Sequence, residues 1–240
     1  MHDPEARSAE VECSWRSDWL AYCREVAGDS CHRSLCAEEG GSWPPDFAPD
    51  VRWPGYLGPD YRPGGVLWAA NIHTRFDTRG LPASFAADAA NSVRAFRDGH
   101  SDSDAFLAAM SDVYQQGLAR WNVGYWGRRV LDQLGVPLSA VAYTNAAKCQ
   151  AFGTAEGLQR LCQTQWPLRD TARMLAPALI LITSQTALQA AGPGPWPCPV
   201  IALSQRNGRI IRDSPWQPPA GDPSPLTWIP ELPRLADWPA

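Results

Sequence analysis

The chain has no long hydrophobic run, no surplus of positive charge and almost no lysine. Each absence excludes something. The longest apolar stretch, Leu175 to Thr183, is broken by Pro177 and is far too short to span a bilayer. The first ten residues are polar and acidic, with no apolar signal region, so the reading is a cytoplasmic protein that does not engage membranes. A net charge of −4 rules out a globally basic nucleic-acid binder but leaves room for a local basic patch. Of 21 basic residues 20 are Arg, and Lys148 is the one Lys. Charged residues make up 19% of the chain against 45% hydrophobic, which excludes a disordered polymer. At 240 residues the chain can bury a real core without staples.

Seven cysteines are an odd number in a chain without an export signal, so a disulfide framework is not expected. Cys13, Cys23, Cys31 and Cys36 crowd the N-terminal part, Cys149 and Cys162 form a second group, and Cys198 stands alone. Two separated groups suggest a metal or an iron–sulfur centre, with buried inert thiols as the competing reading.

Residues 1–36 read as helical, with Trp15, Trp19, Leu20, Cys23 and Val26 on one stripe. Residues 37–65 are rich in Gly and Pro and read as a long ordered loop. Short apolar runs then predict strands at Val66 to Ile72, Ala140 to Thr144, Ala178 to Thr183 and Val200 to Leu203. Between them lie helical patterns at Ser84 to Phe96, Asp104 to Leu134, Glu156 to Leu175 and Ser184 to Ala191. The alternation predicts an α/β core over 66–212 around a largely parallel, four-stranded sheet. Residues 1–65 form an N-terminal extension and 213–240 a Pro-rich tail, all within one domain. In such sheets the ligand site lies beyond the carboxyl ends of the strands.

Those ends carry Asn71 and His73, Asn145 with Lys148 and Cys149, and Ser204, Arg206 and Asn207. An Asn amide offers donor and acceptor together and suits the edge of a flat base, although a strand-end Asn also serves as a turn former.

The run Tyr143-Thr144-Asn145-Ala146-Ala147-Lys148-Cys149 resembles the strand and loop of the iron–sulfur uracil-DNA glycosylases, whose pattern is Thr-Asn-Val-Val-Lys-Cys. Cys162, Leu175-Ala176-Pro177-Ala178, the strand from Leu179 to Thr183 and the helix from Gln185 to Ala191 follow in that family's order. Upstream, Ala69 to His73 and Gly80-Leu81-Pro82-Ala83 stand in register with its first loop and its Gly-x-Pro-Phe motif. The resemblance covers most of residues 31–208. The chain departs from the family at several places. Asn71 matches the Asn of a Gly-x-Asn-Pro-Gly branch, but Ile72 and His73 replace its Pro and Gly. Ala202-Leu203-Ser204-Gln205-Arg206-Asn207 stands where His-Pro-Ser-Pro-Arg-Asn is usual, and Ala83 replaces the Phe that stacks on the base.

The resemblance implies a three-layer αβα fold and a monofunctional glycosylase that hydrolyses the N-glycosidic bond of a flipped-out pyrimidine in DNA. Asn71 would hold the water, and His73 would either substitute for the missing motif His or be a partly buried loop residue. Asn145 would read the base. Phe76 or Phe85 would fill the space that Ala83 leaves open, or leave it for a base bulkier than uracil, such as a hypermodified base of phage DNA, which would make the activity antiviral. Lys148, Ser204, Arg206 and Asn207 would meet DNA. Cys31, Cys36, Cys149 and Cys162 would hold a [4Fe–4S] cluster, with zinc or no metal as alternatives. A monomer needing no protein partner completes the expectation. A DNA-binding module that has lost catalysis, and a nucleoside hydrolase, are the competing functions.

Overall fold

The computed structural model describes residues 4–28, 51–72, 82, 84–120, 125–148, 162–212 and 215. It is a mixed α/β structure with six helices and one five-stranded sheet among these residues. Helix α1 spans Pro4–Gly28, and β1 (Tyr56–Leu57) and β2 (Val66–Ile72) follow. Helices α2 (Phe85–Arg97), α3 (Ser103–Arg120) and α4 (Tyr125–Leu134) lead to β3 (Val141–Ala147). Then come α5 (Leu168–Leu175), β4 (Leu179–Ile182), α6 (Gln185–Ala191) and β5 (Val200–Ala202).

The strand order is β1-β3-β2-β4-β5. The four strands expected from sequence are parallel to one another, and β1 adds an antiparallel edge to β3. The sheet thus has five strands rather than four. The extra one is two residues long and sits inside the Gly/Pro-rich stretch, where no hydrophobic period marks it. It is fixed from outside. Tyr56 stacks on Tyr114 at 5.8 Å, and its hydroxyl donates to the Leu138 carbonyl at 3.0 Å.

The long helical pattern from Asp104 to Leu134 is two helices. Phe106, Met110, Tyr114 and Leu118, spaced at one helical turn in the sequence, are all buried, so one apolar stripe runs through α3. It fails at Tyr125, which is exposed at the start of α4. In α1 Trp15, Trp19, Cys23 and Val26 of the expected stripe are buried, and Leu20 is half-buried. No helix among the described residues is long and apolar enough to cross a membrane.

Strands β3 and β4 are buried at every position, which is why Val141 to Tyr143 and Leu179 to Ile182 read as apolar runs. Trp68 of β2 anchors one face of the sheet. Its ring meets Tyr143 edge-on at 5.4 Å, and its Nε1 donates to Thr183 Oγ1 at 2.9 Å. Gly127 of α4 lies against this ring, and a Cβ there would fall 2.2 Å from the indole. Gly127→Ala therefore sets overpacking of roughly 1–3 kcal/mol against a helix-propensity gain of about 1 kcal/mol. A contact this short, against a hydrogen-bonded core ring, should win. The midpoint of thermal unfolding is expected to fall by several degrees, and an unchanged or raised midpoint would show that Trp68 has room to move.

Candidate functional site

The four parallel strands run in the order β3-β2-β4-β5. After β2 the chain turns to one side to build β3, then crosses back over β2 to build β4. The topological switch falls between β2 and β4, and crevices form there, beyond the carboxyl ends. Asn71 stands at this edge from β2, Asn145 and Lys148 from β3, Thr183 and Ser184 from β4, and Ser204 from β5.

Asn145 is not in a loop after its strand, as the sequence suggested. β3 continues to Ala147, and Asn145 lies within it, paired with Ala70. Parallel pairing puts partners on one face, and alternate residues share that face. Asn145 therefore shares the face of Trp68, Tyr143 and Thr183. Its side chain is 1% exposed. The Tyr143 hydroxyl donates to Asn145 Oδ1 at 3.0 Å, while Nδ2 has no hydrogen-bond partner among the described residues. Burial pushes the Tyr143 hydroxyl above the usual tyrosine range, so it stays protonated and remains a donor.

Asn71 comes one residue after the partner of Asn145, and the pleat turns it to the opposite face, with Ala69 and Thr144. It is half-buried, and its Oδ1 is buried without a hydrogen-bond partner among the described residues. The edge thus presents a buried free donor and a buried free acceptor from adjacent rungs. Such groups cost about 1–3 kcal/mol each when nothing meets them. Each amide is therefore left for a ligand or water to meet, Asn145 on one face of the sheet and Asn71 on the other.

Lys148 corrects an expectation. The resemblance implies a contact with DNA for it, yet it is 2% exposed. Its Nζ donates to Thr144 Oγ1 and, at 2.8 Å, to the carbonyl of Asn145, and it lies 5.7 Å from the centre of the Tyr22 ring. Its own carbonyl accepts from Trp53 N–H at 2.8 Å. The ammonium braces the backbone at Asn145 from within. Gln163 does the same one residue on, donating to the Ala146 carbonyl at 2.9 Å while it accepts from Leu168 N–H.

Ser204, Arg206 and Asn207 form a tight turn directly after β5. Ser204 N–H donates to the Arg209 carbonyl at 2.7 Å, and its carbonyl accepts from Gly208 N–H at 2.8 Å. Asn207 Oδ1 accepts from Arg209 N–H at 3.1 Å, the ordinary turn-forming use of Asn. Arg206 and Asn207 are exposed at the tip and Ser204 is half-buried. Gly208 turns the chain at φ +68° with its α-carbon against Trp126, where a Cβ would sit 2.3 Å from the ring. Phe85, a candidate base-stacking ring, is taken up by the hydrophobic core at the start of α2.

His73, Phe76 and Ala83 lie outside the described residues, as do Cys31, Cys36 and Cys149. Cys162 is buried, with helical backbone over 162–165. No group of three or more metal-ligating side chains occurs among the described residues. Cys23 is buried beside Lys148, and burial raises its thiol well above the usual range while the ammonium draws it partly back. It is an inert core thiol.

A groove of about 990 Å³ opens between α1 and α3, lined by Trp15, Leu20, Leu57, Tyr61 and Leu107 among others. Leu57 pairs with Ala142, so the groove lies toward the amino end of β3, away from the two amides. The residue that sequence reasoning missed is Tyr143. The signal was present, since residues two apart on a strand share a face, but it needed β3 to extend past Thr144. No family model matches the chain, and no curated protein matches it.

Proposed function

We propose that the chain is a monofunctional DNA glycosylase that hydrolyses the N-glycosidic bond of a flipped-out uracil-type or modified pyrimidine, on a three-layer αβα frame of the uracil-DNA glycosylase type. The observation that carries the reading is the Asn145 amide. It is buried at the carboxyl edge of the sheet; Lys148 holds the main-chain carbonyl of the same residue, Tyr143 donates to Oδ1, and Nδ2 is left to donate. A base taken out of the stack needs such a fixed, desolvated group to read its edge.

In the reaction the C1′–N1 bond breaks and its electron pair leaves with the base. Negative charge spreads onto the base carbonyls, where a donor such as Asn145 Nδ2 stabilises it. The sugar becomes oxocarbenium-like and needs only a weakly activated water. A water whose O–H donates to Asn71 Oδ1 keeps a lone pair for C1′. Its oxygen bonds C1′, and its proton ends on the departing base. Bifunctional lyases that work through a lysine need a free amine. Lys148 is the one Lys, and its Nζ is buried and engaged. The Ser204–Arg209 turn, with Arg206 at its tip, suits contact with the DNA backbone.

A [4Fe–4S] cluster on Cys31, Cys36, Cys149 and Cys162 belongs to the same reading. It would pin the segment after Asn145 to the N-terminal part of the chain, with no step of the chemistry routed through it. Cytoplasmic location and a monomeric state also belong to it, and a bulky phage base as substrate is its antiviral form.

The test is to incubate the protein with DNA carrying uracil or modified pyrimidines and to identify released base by mass. Asn71→Ala should lower the single-turnover rate on the best substrate by about 10²-fold and leave DNA affinity nearly unchanged, because a water-holder acts mainly in the transition state. Equal loss of affinity would assign Asn71 to binding. DNA binding without base release from any substrate would favour a non-catalytic module, and release from free nucleosides alone a nucleoside hydrolase.

A further inference from the structure

The two ends of the Asn145 amide are not equivalent. Oδ1 is engaged by Tyr143, and Nδ2 is free. Among the described residues this amide is the one hydrogen-bond partner of the Tyr143 hydroxyl. Rotating the amide by a half turn would set its NH₂ against the phenol, leave the phenolic hydrogen without an acceptor, and put Oδ1 where Nδ2 now stands. A phenol has one hydrogen to place, and among the described residues the present orientation of the amide is what gives it an acceptor. The ring cannot swing away to relieve the difference. It is buried between Trp68, at 5.4 Å, and Tyr114, also at 5.4 Å.

Resting on the glycosylase reading above, we infer that Tyr143 is a positioning residue that pins the Asn145 amide in one orientation and so makes the site choose between uracil-type and cytosine-type edges. Uracil presents an acceptor at position 4 and a donor at N3. Cytosine presents a donor at position 4 and an acceptor at N3. An amide free to rotate satisfies either edge. A pinned amide satisfies one and sets donor against donor, or acceptor against acceptor, on the other. Bulk at position 5 of the pyrimidine leaves this choice untouched. Tyr143 therefore selects the base class, while the space around the ring selects its substituents.

The experiment measures binding to two DNAs that resist hydrolysis, one carrying 2′-fluoro-deoxyuridine and one 2′-fluoro-deoxycytidine at the same position. The wild type should prefer one over the other by at least tenfold. Tyr143→Phe keeps the ring and removes only the hydroxyl, so the ratio should shrink toward one, chiefly because the disfavoured base now binds better. In an Asn145→Ala background, Tyr143→Phe should leave the ratio unmoved. A merely structural role for Tyr143 would instead weaken both DNAs equally and do so in both backgrounds. A wild type with a clear preference that survives Tyr143→Phe overturns the pinning and leaves the glycosylase reading standing. A wild type that binds neither base better than ordinary DNA removes the base-reading role of Asn145. The free protein then decides the pinning by itself. The Tyr143 hydroxyl proton should be visible by NMR as a slowly exchanging signal that shifts in Asn145→Asp, and a signal absent or unmoved by that change overturns the inference.

Discussion

Asn145→Asp is expected to cost the protein most of its action on a uracil-type base at neutral pH and to regain part of it as the pH falls. The substitution keeps shape and volume and removes the NH₂. Tyr143 can still donate to one carboxylate oxygen, as it now donates to Oδ1. What disappears is the buried free donor at Nδ2, replaced by an acceptor. An ionised carboxylate would then face the carbonyl of the departing base, where negative charge builds. The unpaired buried group alone is worth roughly 1–3 kcal/mol, and the like-charge contact in the transition state adds to it. A loss of 10²-fold or more in kcat/KM is the expected result. The sign of the pH dependence follows from burial. A carboxyl at a 1% exposed position is desolvated, which raises its pKa above the ordinary Asp value, with the nearby Lys148 ammonium opposing part of the rise. Below that raised pKa the group is neutral, and its O–H restores a donor. Activity of the variant relative to wild type should therefore climb as pH drops through the weakly acidic range. A flat ratio across pH, or a variant as active as wild type, would show that Asn145 does not read the base.

How much of this was legible in the sequence depends on what each residue packs against. The four parallel strands were legible because strands buried on both faces leave nearly unbroken apolar runs, as in Leu179–Ile182. β1 was not, because Tyr56 and Leu57 lie between glycines and prolines and are held as a strand only by the edge of β3. The end of β3 was misjudged for a related reason. Thr144 and Asn145 look like the polar start of a loop, yet pairing with Ala69 and Ala70 keeps them in the sheet. With the strand cut at Thr144, the shared face of Tyr143 and Asn145 stayed hidden. The helical stripe of α3 was legible through Leu118, and the exposure of Tyr125 was not, since an aromatic residue at the right spacing reads the same whether buried or exposed. The candidate site was legible as a set of strand ends, which chain order and a parallel sheet suffice to give. The direction each side chain takes from its strand is set by tertiary packing, and Lys148 is where that mattered most.

Lys148→Ala is expected to destabilise the fold strongly, which sets the buried brace against the surface phosphate contact as accounts of this residue. The ammonium is the one basic group of its kind in the chain and sits 2% exposed. No carboxylate among the described residues is paired with it. Its compensation comes from Thr144 Oγ1, the Asn145 carbonyl and the face of Tyr22. Truncation to Ala deletes a long stem from a packed site and leaves that carbonyl without its donor. Cavity formation of this size costs about 2–5 kcal/mol, and loss of bonds to a charged group about 1.5–3 kcal/mol. Relief of ammonium desolvation offsets part of this. A net loss of about 3 kcal/mol is expected, read as a fall in the midpoint of denaturant unfolding. Lys148→Met separates the terms. It keeps most of the stem and removes only the charge and its bonds, so the loss of bonds and the relief of desolvation oppose each other and stability should change little. Base recognition should still suffer in Lys148→Met, because the Asn145 carbonyl loses its anchor. A phosphate contact predicts the reverse pattern: full stability in both variants, with DNA affinity weakened and the slope of log affinity against log salt reduced by about one. Stability unchanged in Lys148→Ala together with that smaller slope would return Lys148 to the surface and remove it as a support of Asn145.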